Sequence, residues 1–227
     1  MKKFTLTELL IVIAIILMLL SLLLPALKQA KEKAKQIKCM SNMKQCYLGF
    51  AAYASDYNGT VAVCTTGSPM PGWNRWSERL YIDGYIINRD VCVCPAFAPF
   101  IFQDYEKATG GIFEAKYMSF TISKDTTNLL VGNNMKVLTG PPDLYFLSLY
   151  GLHCPTNYLF LTDGYEHNYK TQYCLIESST GNGIHLRHSG KADVLYADGH
   201  TEGASRQRLT DSGFYGARLY DGTYISW

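Results

Sequence analysis

The stretch from Leu9 to Leu24 holds sixteen residues, and only Ser21 among them is polar. Lys2 and Lys3 precede it, and Phe4, Leu6, Ala26 and Leu27 extend it on either side. The whole nearly reaches the ~20 apolar residues that carry a helix across a bilayer. Such a segment must satisfy its own backbone hydrogen bonds, which a helix does and an irregular chain does not. A secretory signal peptide shares the basic start and apolar middle. No small-x-small cleavage site follows here, however, and the helical pattern runs on without a break.

The continuation is amphipathic. Leu27, Ala30, Ala34, Ile37, Met40 or Ser41, Met43 or Lys44, Tyr47, Phe50 or Ala51, and Ala54 recur at spacings of three and four. This pattern predicts one apolar stripe, with Lys28, Lys31, Lys35 and Lys38 off it. Asp56-Tyr57-Asn58-Gly59 is a helix stop and turn signal. A helix from Phe4 to about Tyr57 would be roughly 80 Å long at 1.5 Å per residue. A body of about 170 residues cannot cover that rod. Its far half is therefore expected against lipid or other chains. Pro25 is expected to bend the helix or free the carbonyl four residues earlier. Thr5-Leu6-Thr7-Glu8 fits a capping box. Glu8 is also an ionisable group at the edge of an apolar span, where a carboxylate calls for a partner.

Charge divides the chain at the same place. Through Lys44 there are eight lysines and two acids, Glu8 and Glu32, a balance of +6. The whole chain carries only +2, so the remainder carries −4. All 17 tyrosines and three tryptophans lie beyond Lys44. That remainder shows no basic excess, which argues against a nucleic-acid partner. Its short aromatic or β-branched runs include Tyr85-Ile86-Ile87, Tyr158-Leu159-Phe160-Leu161 and Val194-Leu195-Tyr196-Ala197. Asp83-Gly84, Asp163-Gly164, Asp198-Gly199 and Asp221-Gly222 are hairpin-turn signals. Trp76 to Ile82 reads as a short helix, and Thr139-Gly140-Pro141-Pro142 as a loop. The fold class expected is α+β: a long N-terminal helix, then a body with an antiparallel β-sheet and long loops.

Two motifs resemble a known family. Lys3-Phe4-Thr5-Leu6-Thr7-Glu8-Leu9-Leu10-Ile11-Val12-Ile13-Ala14-Ile15-Ile16 resembles the N-terminal signature of type IV prepilins and type II secretion pseudopilins. His188 followed by nine residues and Asp198-Gly199 resembles the processing-associated C-terminal motif of pseudopilin-like proteins that share this start. Lys38 to Gln45 and Val93-Cys94-Pro95-Ala96 are similar to segments of those proteins. The resemblance implies a leader over residues 1–3, cut by a prepilin peptidase between Lys3 and Phe4, with Phe4 then N-methylated. One residue departs from the pattern, since Lys3 stands where the family has Gly. The resemblance further implies a transmembrane and assembly helix over 4–27, its amphipathic continuation over 28–57 and an extracytoplasmic pilin-like body over 58–227. The His-x9-Asp-Gly hairpin region would occupy 184–203. Glu8 would pair with the N-terminal amine of a neighbouring subunit, because a buried carboxylate and a buried ammonium tolerate burial together. Pro25 lies where such helices often carry a proline. The family's orientation places the N-terminus in the cytoplasm, one span in the inner membrane and the body outside.

Chemistry is less evident. Arg187-His188 and Val194–Ala197 read as two strands joined by Ser189-Gly190-Lys191, with His188 and Asp198 shaping the turns through side-chain to backbone bonds. His153, Cys154, His185, His188, Asp198 and His200 are ligand types, but no Cys-x-x-Cys or His-Glu-x-x-His spacing supports zinc. Some pseudopilins bind calcium in the body, which leaves calcium open without locating a site; no other cofactor is expected. No Gly-x-Ser-x-Gly or phosphate-binding loop is present, and no enzymatic activity is expected. The seven cysteines leave at least one thiol unpaired within the chain. Cys39 and Cys46 stand about 10 Å apart by helical rise and cannot bridge each other. One or two disulfides in the body suit an extracytoplasmic setting, and buried thiols suit the composition equally. Trp73, Trp76 and Tyr81 form the densest aromatic cluster, a platform for sugar if exposed and core if not. Two functions follow: a filament or pseudopilus subunit assembling with similar subunits through Glu8, or a membrane-anchored binding module, for example for polysaccharide.

Overall fold

The computed structural model describes residues 5–66, 73–97, 121–123, 135–138, 144–152, 154–165, 170, 172, 175–176 and 183–227. Lys3, Phe4, the loop read at 139–142, His153 and Cys174 lie outside the described residues, as do the side chains of Cys64 and Trp73.

Helix α1 (Leu6–Asp56) is continuous for 51 residues and runs through Pro25. Thr5 caps it in extended conformation, and the capping box with Glu8 is complete. It ends where expected, and Asn58 enters the left-handed region at φ 52° as the chain turns away. The elements that follow are β1 (Thr60–Thr66), β2 (Trp73–Arg75), α2 (Trp76–Ile82), a 3-10 turn (Arg89–Cys92), β3 (Thr121–Ser123) and β4 (Met135–Leu138). Next come β5 (Leu144–Ser148), β6 (Leu159–Thr162), β7 (Gly164–Tyr165), β8 (Leu175–Ile176), β9 (Gly183–Leu186) and β10 (Ala192–Tyr196). The chain closes with β11 (Thr201–Ala204), α3 (Arg206–Asp211), β12 (Gly216–Leu219) and β13 (Tyr224–Ser226). The fold is α+β, a long apolar helix followed by a sheet-rich body.

Where the sequence leads one to expect an antiparallel sheet, the described residues form three sheets, ordered β2-β1-β5-β4, β11-β10-β6-β3-β8 and β13-β12-β9-β7. Most pairs are antiparallel, but β3 with β8 and β9 with β12 run parallel. Strands β10, β11 and helix α3 separate β9 from β12, a crossover long enough for parallel pairing. The expected hairpin across Ser189-Gly190-Lys191 also changes character. His188 and Lys191 form an isolated bridge, while β9 and β10 go to different sheets.

The Asp-Gly signals divide by context. Asp198-Gly199 and Asp221-Gly222 turn hairpins, with Gly199 at φ 90° and Gly222 at φ 84°. Gly84, at φ 81°, ends α2 instead. The N–H groups of Tyr85 and Ile86 then donate to the Leu80 carbonyl at 2.8 and 3.0 Å. Those bonds hold Tyr85-Ile86-Ile87 as a helix terminus, which is why this apolar run forms no strand. Asp163-Gly164 makes no hairpin. Its backbone is extended between β6 and β7, with the Asp163 N–H donating to Asp193 and its carbonyl accepting from His185.

The body closes on the distal half of α1. Cys39, Asn42, Met43, Cys46, Gly49, Phe50, Tyr53 and Ala54 are buried, at the i, i+3, i+4, i+7 spacing of one helix face. The stripe therefore begins at Cys39 and follows the two cysteines. Leu27, Ala30, Ala34 and Ile37, assigned to it from the sequence, are exposed. Ala54 is buried as expected, and of the paired alternatives Met43 and Phe50 are buried while Lys44 and Ala51 are exposed. Phe50 sits at the centre of this core, with ring centroids 5.0 Å from Trp76 and 4.6 Å from Phe160. Strand β10 is buried on both faces: Leu195 joins the core under α1, and Val194 and Tyr196 join a second one with Ile184, Leu186 and Leu209. Strands covered on two sides read as continuous apolar runs, as Val194–Ala197 does.

Phe50→Ala is expected to destabilise the body by about 3–5 kcal/mol, the usual result of emptying a buried aromatic site. Leu20→Ala, on the bare half of α1, is expected to shift body stability by less than about 0.5 kcal/mol. Denaturant titration of the full chain in detergent, followed by tryptophan fluorescence, measures both; equal effects would mean that α1 does not complete the core.

Candidate functional site

Two features stand out once the helix is docked. The first is its bare half. From Leu6 to Leu27 the large apolar side chains are exposed, and Leu10, Ile13 and Leu20 keep 51, 43 and 45 % of their surface. By length and composition this helix can cross a membrane. At its start the Glu8 Oε2 accepts from the Thr5 N–H and the Thr5 hydroxyl, each at 2.8 Å, and the Glu8 N–H donates to Thr5 Oγ1 at 3.3 Å. Both bonds fall on Oε2, and among the described residues Oε1 has no partner. Capping therefore leaves half the carboxylate available. At the middle of the span, the Ser21 hydroxyl donates to the Met18 carbonyl at 2.7 Å, hiding its polarity inside the helix.

The second feature is a polar cluster sealed beneath the other half. Cys39 comes from α1, and Cys94 from the segment after the 3-10 turn. Asp163 joins β6 to β7, and His188 follows β9. All four are buried, and their ligand-type atoms lie within 4.8 Å of one another. The Cys39 thiol donates to Asp163 Oδ1 at 3.6 Å. His188 Nε2 lies 3.3 Å from the Cys94 sulfur and 3.4 Å from both Asp163 Oδ2 and Asp193 Oδ2. Asp193 Oδ2 is fully buried without a hydrogen bond, while its Oδ1 accepts from Gln36 of α1 at 2.8 Å. Arg187 places Nε 3.6 Å from Asp163 Oδ1 and donates through a second nitrogen to the Gly164 carbonyl. Gln172 fastens the Cys94 loop, accepting from the Cys94 N–H at 2.8 Å and donating to its carbonyl at 2.9 Å.

Burial this complete would favour neutral groups, yet the neighbours overrule it at two positions. Burial pulls His188 down, but the Cys94 sulfur and Asp163 hold it above the ordinary imidazole range. Burial pushes the Cys94 thiol up, but the Cys39 thiol and then His188 bring it below the ordinary thiol range. Burial, then repulsion from Asp163, raises the Asp193 carboxyl. Burial, reinforced by Cys94, raises the Cys39 thiol. A thiolate beside an imidazolium has the ionic character of a nucleophile pair. Here no solvent path reaches it, since Cys39 and Cys94 are 0 % exposed.

The His-x9-Asp-Gly motif lies against α1 at several points. His188 enters the cluster with Cys39, and Asp193 bonds Gln36. Gly199 faces Tyr47, whose ring carbon would lie 2.6 Å from any Cβ there. Tyr47 donates in turn to the Ala197 carbonyl at 3.3 Å. Asp198 behaves as the sequence indicates, accepting from the His200 N–H and meeting His200 Nδ1 at 2.6 Å. His188 does not: its backbone closes the turn with Lys191, while its side chain serves the cluster. The other ligand types remain apart from the cluster. His200 stays with Asp198, Cys154 is exposed, and His185 Nε2 bonds the Leu219 carbonyl at 3.0 Å among Phe97, Tyr165 and Tyr220. Cys39, Cys94, Asp163 and Asp193 are not marked as ligands by the sequence, since Cys39 stands 124 residues from Asp163 and Gln36 stands 157 from Asp193. Two sulfur donors do not suit calcium, which takes oxygen.

The described cysteines, Cys39, Cys46, Cys92, Cys94 and Cys154, are all thiols. Cys46 lies against Cys92 much as Cys39 lies against Cys94. Of the aromatic cluster, Trp76 is 0 % exposed in the core and Tyr81 reaches solvent, while the Trp73 side chain lies outside the described residues. No family model matches the chain, and neither a curated protein nor a solved structure matches it.

Burial, helped by Arg187, holds His185 down at about 3, against 6.5 in its ordinary state. Below pH 6.5 the unfolded chain takes a proton there that the folded chain refuses. This group's contribution to stability is therefore complete above 6.5 and is lost as pH falls toward about 3. One such proton is worth about 1.4 kcal/mol per pH unit. His185→Gln keeps a donor for Leu219 and should gain stability relative to the parent chain by about that slope between pH 6 and 5 (values on the order of this titration window). Parallel stability profiles would show that His185 titrates normally.

Proposed function

We propose that the chain is a structural subunit of a type IV pilus-like filament or a type II secretion pseudopilus. The observation that carries this reading is the division of α1. One face from Cys39 to Ala54 is spent on the body, while Leu6–Leu27 stays bare and apolar beyond it. An exposed apolar surface of this length needs a covering of lipid or protein. The family-like motif at its start and the carboxylate at Glu8 favour protein as part of that covering. In the membrane the helix would sit as a single span, N-terminus in the cytoplasm and body outside, before extraction into a filament of similar subunits. The prepilin peptidase would cut at Lys3–Phe4 and free the amine that Glu8 meets in a neighbour.

The capping box is compatible with this pairing because Oε1 remains open. A plain anchor needs no carboxylate, and removing one would ease insertion. The basic half of α1 and the acidic body also complement each other, so neighbouring subunits can attract through them within the screening length.

Glu8→Leu is the discriminating variant. Membrane insertion should persist or improve, while recovery of the chain in assembled, shearable material should fall at least tenfold relative to the parent, the scale of losing ~1.4 kcal/mol or more per contact. Unimpaired assembly of Glu8→Leu would reduce the helix to an anchor and favour a tethered binding module.

A further inference from the structure

We propose that Cys39, Cys94, Asp163 and His188 form a tetrahedral site for a divalent transition metal, with zinc the best fit. This goes beyond the filament reading and does not rest on it. The donor set comprises two sulfurs, one imidazole nitrogen and one carboxylate oxygen, which zinc accepts together in closed structural sites. Hard calcium and magnesium avoid such sulfur-rich sets.

The spacing supports the same conclusion. Zinc holds sulfur at about 2.3 Å and nitrogen or oxygen at about 2.0–2.2 Å, so neighbouring donors in a tetrahedron stand about 3.3–3.8 Å apart. The observed separations are 3.6 Å for Cys39 sulfur to Asp163 Oδ1, 3.3 Å for Cys94 sulfur to His188 Nε2, and 3.4 Å for His188 Nε2 to the other Asp163 oxygen, Oδ2; one donor atom from each residue lies within 4.8 Å of the others, so the widest pair draws together on metal entry. The four donors come from α1, the loop after the 3-10 turn, the β6–β7 junction and the turn after β9. Only the fold assembles them.

Hydrogen bonding alone leaves this cluster unsettled. His188 Nε2 faces a sulfur and two carboxylate oxygens at nearly equal distance, and one proton cannot serve all three. Asp193 Oδ2, buried and without a hydrogen bond, points at the same place. A cation at the centre answers the Cys94, His188 and Asp163 atoms, with the Asp193 carboxylate beside it outside the ligand set. Metal entry would displace the Cys39 thiol proton and the His188 Nε2 proton to solvent and leave the His188 proton on Nδ1. Two thiolates and the Asp163 carboxylate would leave the zinc centre at −1, and the Arg187 guanidinium beside Asp163 supplies the compensating charge. The metal would then tie α1 to the second and third sheets at one point.

Zinc analysis of the full chain, purified in detergent after expression with zinc, tests the site. One zinc per chain is expected. Cys94→Ser and His188→Ala should lose it, and Cys154→Ser, which changes an exposed thiol, should keep it. Should the first two variants fail to fold, cobalt substitution in the parent chain decides. A tetrahedral site with thiolate ligands gives intense visible bands and a sulfur-to-cobalt charge-transfer band. Parent protein without zinc or these bands, or with Cys39 and Cys94 joined as a disulfide in peptide maps, would overturn the proposal. So would zinc that survives both ligand substitutions.

Discussion

The burial of one face of α1 is the contact on which the rest of the molecule depends. Between Cys39 and Ala54 the helix supplies the body's core residues Met43, Cys46, Phe50 and Tyr53. Each large apolar side chain so buried contributes about 1.5–3 kcal/mol relative to exposure. The first sheet, α2 and strands β6 and β10 all place residues against it. Without α1 these elements would expose a common apolar surface, so the helix is the central element of the body as well as the rod beyond it. That dual use fixes where the rod can be covered by its own chain and where it cannot.

A sealed polar cluster sits at the point where this contact begins. Burying Asp163, Asp193, Arg187 and His188 together is costly unless their charges and lone pairs are answered. Arg187 and the Cys94–His188 pair answer part of the demand. The region from His188 to Gly203 meets α1 near Gln36, Cys39 and Tyr47. The C-terminal motif thereby acquires a physical meaning as the part of the body that clasps the helix. Gly199 is small because Tyr47 occupies the space a side chain would need.

Local features were legible from the sequence, and long-range ones were not. The apolar run, the capping box at Thr5–Glu8, the stop at Asp56 and helix α2 follow from periodicity and caps, which act over a few residues. The stripe on α1 was phased by Leu27 and Ile37, which proved exposed, because cysteines were not counted as apolar anchors there. Tyr85-Ile86-Ile87 carried a strand's composition, but the end of α2 claimed its N–H groups. Asp163-Gly164 carried a turn's composition, but pairing with Asp193 and His185 held it extended. The polar cluster was hidden for the same reason. Cys39 and Asp163 stand 124 residues apart, and no local spacing announces such a pairing.

On the proposed reading, α1 has two uses: its distal face packs into this chain's own body, and its proximal half is covered by other chains. A photoreactive amino acid placed at Leu20, with a second placed at Phe50 for comparison, tests this in membranes that contain the assembled protein. Covalent adducts between copies, or with similar subunits, are expected from Leu20, and adducts within the chain from Phe50. Adducts from Leu20 to lipid alone, with no protein partner, would contradict that reading.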